Sequence, residues 1–247
     1  SHAVINFEPY KIKEMSESLQ TLEPINKALY CELDMKGNID DWMDEMVPLS
    51  HIFVFLATEK SGFNSPDCGR EIRLAKENKL LMVPLRTEEV EWKDIGEIGL
   101  PTEGYDYPLG NTKEVIEKLK EYIKAKEEKL NELEEILSKD DFINLSSLDG
   151  VLEVDKEEVP KLARILIKSQ KVRGVVSKTG DNFISESQVR TMIKSYQKQG
   201  TIESIEVLME SLNIDPIYEN EIEDLVKLPK KENGDQEEQG KKDRSEK

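Results

Sequence analysis

The segment HIFVFLATEKSGFNSPDCGREIRLA, residues 51–75, decides the fold. Its first eight residues are almost continuously apolar, which is typical of a central parallel strand covered on both faces. A polar loop, EKSGFNSPD, follows, and apolar residues then recur at helical spacing beside Glu71. This pattern predicts a strand, a loop and a helix, which together are the repeating unit of a parallel α/β sheet.

The flanking residues continue this alternation of strands and helices. Helices are predicted over residues 11–22 and from Ile39 to about Met46, and further strands at 3–7 (AVINF), 27–31, 80–85 (LLMVPL) and near 104–108. Such an alternation favours right-handed crossovers between parallel strands. We therefore predict a flavodoxin-like α/β domain over residues 1–110.

A charged helix is predicted to follow as a connector over residues 111–140. Its apolar positions are spaced alternately three and four apart, as in a coiled-coil seam that is interrupted once by a lysine: Ile116, Leu119, Ile123, Lys126, Leu130, Leu133 and Leu137. Two interpretations remain open. Residues 116–137 mediate self-association, or residues 116–123 complete the first domain and the remainder is a solvated spacer.

Residues 141–228 are predicted to form a second, mostly helical domain. Amphipathic helices are expected at 159–169 and 186–199, and VRGVVS and NFIS, joined by the turn KTGD, predict a β-hairpin between them. Two shorter helices follow, around 205–212 and 217–226. Helices beside a hairpin are typical of a winged helix. The polar tail, 229–247, is predicted to be disordered.

The charge balance excludes nucleic acid as a predicted partner. The chain has 52 acidic and 35 basic residues, a formal net charge of -17. The helix at 216–227, PIYENEIEDLVK, would occupy the groove-entering position of a winged helix, yet it is strongly acidic and would repel phosphates. We therefore expect the second domain to bind a protein.

Hydrophobicity and cysteine content favour a cytoplasmic protein. The longest apolar runs, 52–57 and 80–85, are far shorter than the roughly 20 residues that span a bilayer. The two cysteines, Cys31 and Cys68, have neither the number nor the spacing of a disulfide framework or a zinc knuckle. No membrane contact, signal peptide or metal site is expected.

The order of features in the first domain resembles the TIR (Toll/interleukin-1 receptor-like) family over residues 3–110. The resemblance rests on the strand AVINF, a Gly-bearing loop after the second strand, the strand HIFVFLAT, and then Ser65, Cys68 and Glu71 at intervals of three. In catalytic members, the glutamate at the matching position is required to cleave NAD between ribose and nicotinamide. The resemblance implies that Glu71 is the catalytic residue and that NAD is a substrate, with no bound cofactor.

The chemistry explains the need for one carboxylate. Breaking the glycosidic bond builds positive charge on the ribose, which a fixed anion stabilises. Nicotinamide is a good leaving group, so no second acid is required. A structural alternative exists for Glu71, because the helix dipole favours acids in a first turn by about 0.3–1 kcal/mol.

Further residues are candidates for nucleotide binding. Phe7 and Tyr10 follow the first predicted strand and Trp42 follows the second, so each could stack on nicotinamide or adenine; the alternative is that they belong to the core. Enzymatic relatives usually have an aromatic residue before the position of Cys68. Asp67 stands there in this chain, and its charge would repel the phosphates of NAD. By the same resemblance, Asp67 and Cys68 are expected to lie at the nucleotide site with the three aromatic residues.

These observations support three functional hypotheses. The first is a signalling NAD hydrolase or cyclase that is regulated by clustering through its C-terminal domain, which is weakly similar to the winged helices of PCI proteins and of a ubiquitin-like modifier ligase. The second is a non-catalytic TIR adaptor that acts by protein–protein interaction. The third is another nucleoside-processing enzyme, such as a deoxyribosyltransferase.

Overall fold

The structure is a computed structural model that describes residues 1–23, 25–61, 64–200 and 204–226. In these ranges the chain forms a parallel sheet in its first half and an antiparallel sheet in its second half, each of three strands and each packed against helices. The predicted α/β class is therefore confirmed. The tail at 229–247, predicted to be disordered, lies outside the described residues.

The first half is built around three parallel strands in the order β1–β2–β3. Its elements are α1 (Ile12–Leu19), α2 (Cys31–Asp34), α3 (Ile39–Leu49), β1 (Ile52–Ala57), α4 (Pro66–Glu77), β2 (Leu81–Arg86), α5 (Trp92–Glu97) and β3 (Tyr105–Asp106). The prediction from residues 51–75 is confirmed, since β1, a loop and α4 follow one another. The core strand β1 is apolar throughout and Phe55 is fully buried.

The prediction of a strand at residues 3–7 is wrong. Val4–Asn6 form a 3-10 turn, in which Val4 is 73% and Ile5 67% exposed. The Asn6 amide donates to the Thr58 hydroxyl (2.6 Å), which fixes this turn against the loop after β1. Ser1 lies along the open edge of β1, where its amino group donates to the Val54 carbonyl (2.7 Å) and its carbonyl accepts from the Leu56 N–H (3.0 Å).

The prediction of a strand at residues 27–31 is also wrong. The backbone groups there bond to side chains and to the backbone of α2, not to a neighbouring strand. The Tyr30 N–H donates to the Asp34 carboxylate (3.0 Å), and the Ala28 carbonyl accepts from the Ser16 hydroxyl (2.7 Å). Among the described residues the first sheet therefore has three strands, not the five that the sequence predicts.

The second half begins with one long helix. Its elements are α6 (Thr112–Leu137), β4 (Phe142–Asn144), α7 (Asp149–Leu152), α8 (Val159–Lys168), β5 (Gly174–Val176), β6 (Asn182–Ser185), α9 (Glu186–Gln199), α10 (Ile205–Ser211) and α11 (Glu219–Val226). The predicted hairpin and helices are present, and β4 is an additional strand that makes the order β4–β6–β5. Gly180 lies in the hairpin turn at φ +83°, a conformation that favours glycine.

The apolar seam of α6 faces the two cores of its own chain. Ile116, Leu119 and Ile123 pack in the core of the first half, whereas Leu133 and Leu137 are buried in that of the second half. The interpretation of 124–137 as a solvated spacer is therefore wrong. Self-association through the seam stays a prediction, and it would require these side chains to leave their cores.

Direct contacts join the two halves. The Lys168 ammonium donates to the carbonyls of Pro48 (2.6 Å) and Ser50 (3.0 Å) at the end of α3. Lys79, which follows α4, pairs with Asp215 of the second half, and Leu81 of β2 packs into the second core. In the ranges that the structure covers, no helix has both the length and the apolar character needed to cross a membrane.

Candidate site around Glu71

Glu71 lies on α4, which begins at the carboxyl edge of the parallel sheet. The Ser65 hydroxyl accepts from the Cys68 N–H (3.4 Å), and Pro66 occupies the first turn, where its missing N–H costs nothing. The acid in that first turn is Asp67, while Glu71 lies one turn further on. The helix dipole therefore accounts for Asp67 and does not account for Glu71.

The Glu71 carboxylate is partly buried and forms no ion pair with a residue of the described ranges. The two nearest arginines in sequence pair with other acids. Arg70 bonds to Asp40 (3.2 Å) and Asp44 (2.6 Å) of α3, and Arg73 pairs with Glu77 (3.3 Å). No hydrogen bond or ion pair to Glu71 occurs in the part of the chain that the structure describes.

The charge of Glu71 acts on a cluster of three titratable side chains: His2, Cys31 and Cys68. Burial lowers the pKa of His2, and the N-terminal ammonium lowers it further. The carboxylates of Glu32 and Glu71 act in the opposite direction and raise it, but by less. Burial, followed by Glu32 and then by Glu71, raises the pKa of Cys31 to about 12.

Burial is also the main reason why the pKa of Cys68 is raised. With a raised pKa, each of the two thiols stays protonated at neutral pH, so neither is an activated nucleophile.

Two members of this cluster, His2 and Cys31, are joined through the Glu32 carboxylate. The His2 Nε2 lies 2.8 Å from one oxygen of Glu32, and the Cys31 thiol donates to the other oxygen (3.1 Å). His2 is 8% exposed, and the Phe7 ring lies 5.9 Å from its ring. Phe7 also stacks on Tyr30 (5.7 Å).

The predicted nucleotide-binding residues therefore do not lie together in one site. Phe7 and Cys68 lie in the surroundings of Glu71, and Asp67 is exposed beside them. Tyr10 is buried against Tyr107 at a ring distance of 5.2 Å. Trp42 packs on the core between α3 and α4. For Tyr10 and Trp42 the geometry favours the alternative of a core role, and nucleotide binding by the set stays a prediction.

Two cavities lie near α4, and Glu71 lines neither. The first, of about 210 Å³, lies at the carboxyl ends of β1 and β2 and has an acidic lining of Glu59, Glu89, Asp94 and Glu97, together with Asn64 and Val90. The second, of about 390 Å³, lies between α4, at Ile72 and Arg73, and Ile98, the residue that follows α5. The acidic lining of the first does not suit the phosphates of a dinucleotide.

Sequence reasoning missed the contact between His2, Cys31 and Glu32. The histidine is far from the other two residues in the chain, and Cys31-Glu32 does not match a ligand spacing. The folding of the N-terminal turn onto α2 brings them together. No local sequence pattern predicts this contact.

No protein-family model matches the chain, and no curated protein matches it.

Proposed function

We propose that this protein cleaves NAD between ribose and nicotinamide, as a TIR-like hydrolase or cyclase in which Glu71 is the catalytic residue. The observation that carries the proposal is the state of the Glu71 side chain. It is a partly buried carboxylate on α4, the helix that begins at the carboxyl edge of the parallel sheet, and it has no ion pair in the described ranges. Ligands of open α/β sheets bind at this edge.

The proposed step needs one anion. The bond between the ribose C1′ and the nicotinamide nitrogen breaks, and its electron pair leaves with neutral nicotinamide. The Glu71 carboxylate stabilises the cationic ribose that remains. Water then attacks C1′ and loses a proton to give ADP-ribose, or a nitrogen of the adenine attacks to give a cyclic product.

The second half is proposed to be a winged-helix-like domain that binds a protein. Its support is the antiparallel hairpin β5–β6 next to α9 and the acidic character of α11, which begins with Glu219 and Glu221. A protein partner that clusters the chains would regulate the first domain, and both signalling and a cytoplasmic location are part of this proposal.

A non-catalytic adaptor is the second candidate. Two observations favour it. Neither cavity described above is lined by Glu71, and large apolar side chains are exposed in the N-terminal segment and on α2, among them Val4 (73%) and Leu33 (66%). Exposed apolar side chains suit contacts between proteins.

The experiment is to incubate the full chain with a panel of nucleotides and to measure the base that is released. The panel contains NAD, NADP and a deoxynucleoside together with a free base as acceptor. Release of nicotinamide from NAD supports the proposed function, and transfer of the deoxyribose supports a deoxyribosyltransferase. No release at any protein concentration, including with a crowding agent that clusters the chains, favours the adaptor.

A further inference from the structure

Three potential metal ligands from two separate segments meet beside the Glu71 carboxylate. His2 belongs to the N-terminal segment, and Cys31 and Glu32 begin α2. One ligand atom from each residue lies within 4.8 Å of the other two. The set contains a nitrogen, a sulfur and an oxygen donor, which is a combination that Zn²⁺ accepts.

The spacing of the donors is close to that of a coordination sphere. Zn–N distances near 2.0 Å and Zn–S distances near 2.3 Å place tetrahedral ligands about 3.5 Å apart. The His2 Nε2 and Cys31 Sγ atoms already contact the two oxygens of Glu32 at 2.8 Å and 3.1 Å. Small side-chain rotations are therefore enough to direct the three donors to one point.

Burial and charge favour a cation at this point. The His2 side chain is 4% exposed and that of Glu32 is 22% exposed, so the histidine is fixed while the carboxylate remains accessible from solvent. Cys31 is partly buried and free of any disulfide. The negative charge of Glu71 acts on both His2 and Cys31. The N-terminal ammonium acts on both side chains in the opposite sense, so an ion would enter from the solvent-accessible Glu32 side, where the carboxylate supplies the negative charge.

We propose that His2, Cys31 and Glu32 form a Zn²⁺ site with three protein ligands, in which water completes a tetrahedron. This site does not depend on the proposed cleavage of NAD. The thiol must release its proton to bind the ion, so Zn²⁺ binding releases a proton to solvent. The sequence-based expectation of no metal site is replaced by this proposal.

The test is a metal titration of the full, untagged chain. Co²⁺ is used as a spectroscopic substitute for Zn²⁺, because a thiolate bound to Co²⁺ gives a charge-transfer absorption that histidine and carboxylate ligands cannot give. We expect this absorption to saturate at one equivalent of Co²⁺ and to disappear when Zn²⁺ is added. Competition with a chromophoric chelator then gives the Zn²⁺ affinity.

Matched variants identify the ligands. Cys31→Ala should abolish the absorption and weaken Zn²⁺ binding at least about tenfold. Cys68→Ala, the control, removes the other thiol of the chain and should leave both unchanged. His2→Gln and Glu32→Gln should each weaken Zn²⁺ binding by a similar factor. Zn²⁺ should raise the melting temperature of the wild-type chain and leave that of Cys31→Ala unchanged.

Three results would overturn the proposal. The first is that no charge-transfer absorption develops in the wild-type chain. The second is that the absorption survives Cys31→Ala or is lost in Cys68→Ala. The third is that Glu32→Gln and His2→Gln, both with wild-type circular dichroism, bind Zn²⁺ as tightly as the wild-type chain.

Discussion

At the residue scale, Asp67 and Glu71 show how two acids on one helix differ in their surroundings. Asp67 is exposed in the first turn of α4, where the helix dipole stabilises it. Glu71 is one turn further on, partly buried and next to His2, Cys31 and Cys68. The helix dipole explains the position of Asp67, whereas it does not explain the position of Glu71.

Replacing Asp67 tests whether this acid hinders the proposed substrate. We expect Asp67→Asn to lower the KM for NAD by about two- to fivefold, because it removes an exposed negative charge that repels the phosphates. The measurement is the initial rate of nicotinamide release against NAD concentration at low ionic strength. An unchanged or higher KM would show that NAD phosphates do not approach Asp67.

Tyr218 gives a prediction of pH dependence. Its side chain is buried, and its hydroxyl makes no hydrogen bond of good geometry to the described residues, although the Val176 backbone lies close to it. Burial raises its pKa above the ordinary value of 10.0, against the opposing effects of Arg164 and of the Val176 backbone. Above pH 10 the unfolded chain releases this proton while the folded chain retains it. The ionisation of Tyr218 therefore has no effect on stability below pH 10 and lowers the stability of the fold as the pH rises above 10.

We therefore expect Tyr218→Phe to stabilise the fold by about 1 kcal/mol at neutral pH, since it removes an unsatisfied buried hydroxyl. It should also reduce the loss of stability between pH 10 and 11. Urea unfolding followed by circular dichroism at each pH measures both effects. Other buried tyrosines, such as Tyr107, also have raised pKa values. Part of the decrease in unfolding free energy at alkaline pH should therefore remain in the variant. A variant that is less stable than the wild type at neutral pH would contradict this account.

At the scale of elements, α6 carries a stability prediction. Leu133 is fully buried in the second core, whereas Leu130 is only partly buried at its margin. Leu133→Ala should lower the free energy of unfolding by about 2–5 kcal/mol, because it leaves a cavity that the helix cannot close. Leu130→Ala is the matched control on the same helix and should cost clearly less. Urea unfolding of both variants makes the comparison, and equal losses would mean that α6 does not pack as described.

The elements also show how far the sequence predicts the structure. The strand β1 and the helix α4 were predictable, because a continuous apolar run and apolar residues at helical spacing are strong local signals. The strand at 3–7 was not, since a five-residue apolar run suits either conformation and the Asn6–Thr58 contact decides it. The same holds for the candidate site: Glu71 was found from its motif, whereas the approach of His2 to Glu32 depends on tertiary folding.

At the scale of the whole molecule, a buried charge cluster joins the two halves. Asp215 is 2% exposed and accepts hydrogen bonds from Arg164 (2.8 Å) and from Lys79 of the first half. Asp215→Asn should lower the free energy of unfolding by about 3–5 kcal/mol, because it leaves the buried Arg164 without its anion. Lys79→Ala, at the more exposed end of the cluster, should cost about 1 kcal/mol or less. Equal losses in the two variants would contradict this ranking.

Both tryptophans, Trp42 and Trp92, lie in the first half, so their fluorescence reports on that half alone. Because α6 and Leu81 contribute to the second core, we expect fluorescence and circular dichroism to follow one common unfolding transition. Two separate transitions would show that the halves are energetically independent.

Nicotinamide release from NAD by the wild-type chain and by Glu71→Gln, at equal, high protein concentration, distinguishes a catalytic Glu71 from a structural one. The substitution keeps the shape of the side chain and removes its charge. The account predicts that the wild-type chain releases nicotinamide and that the variant, with an unchanged melting temperature, is slower by about a hundredfold or more. Equal rates in the two proteins would contradict it.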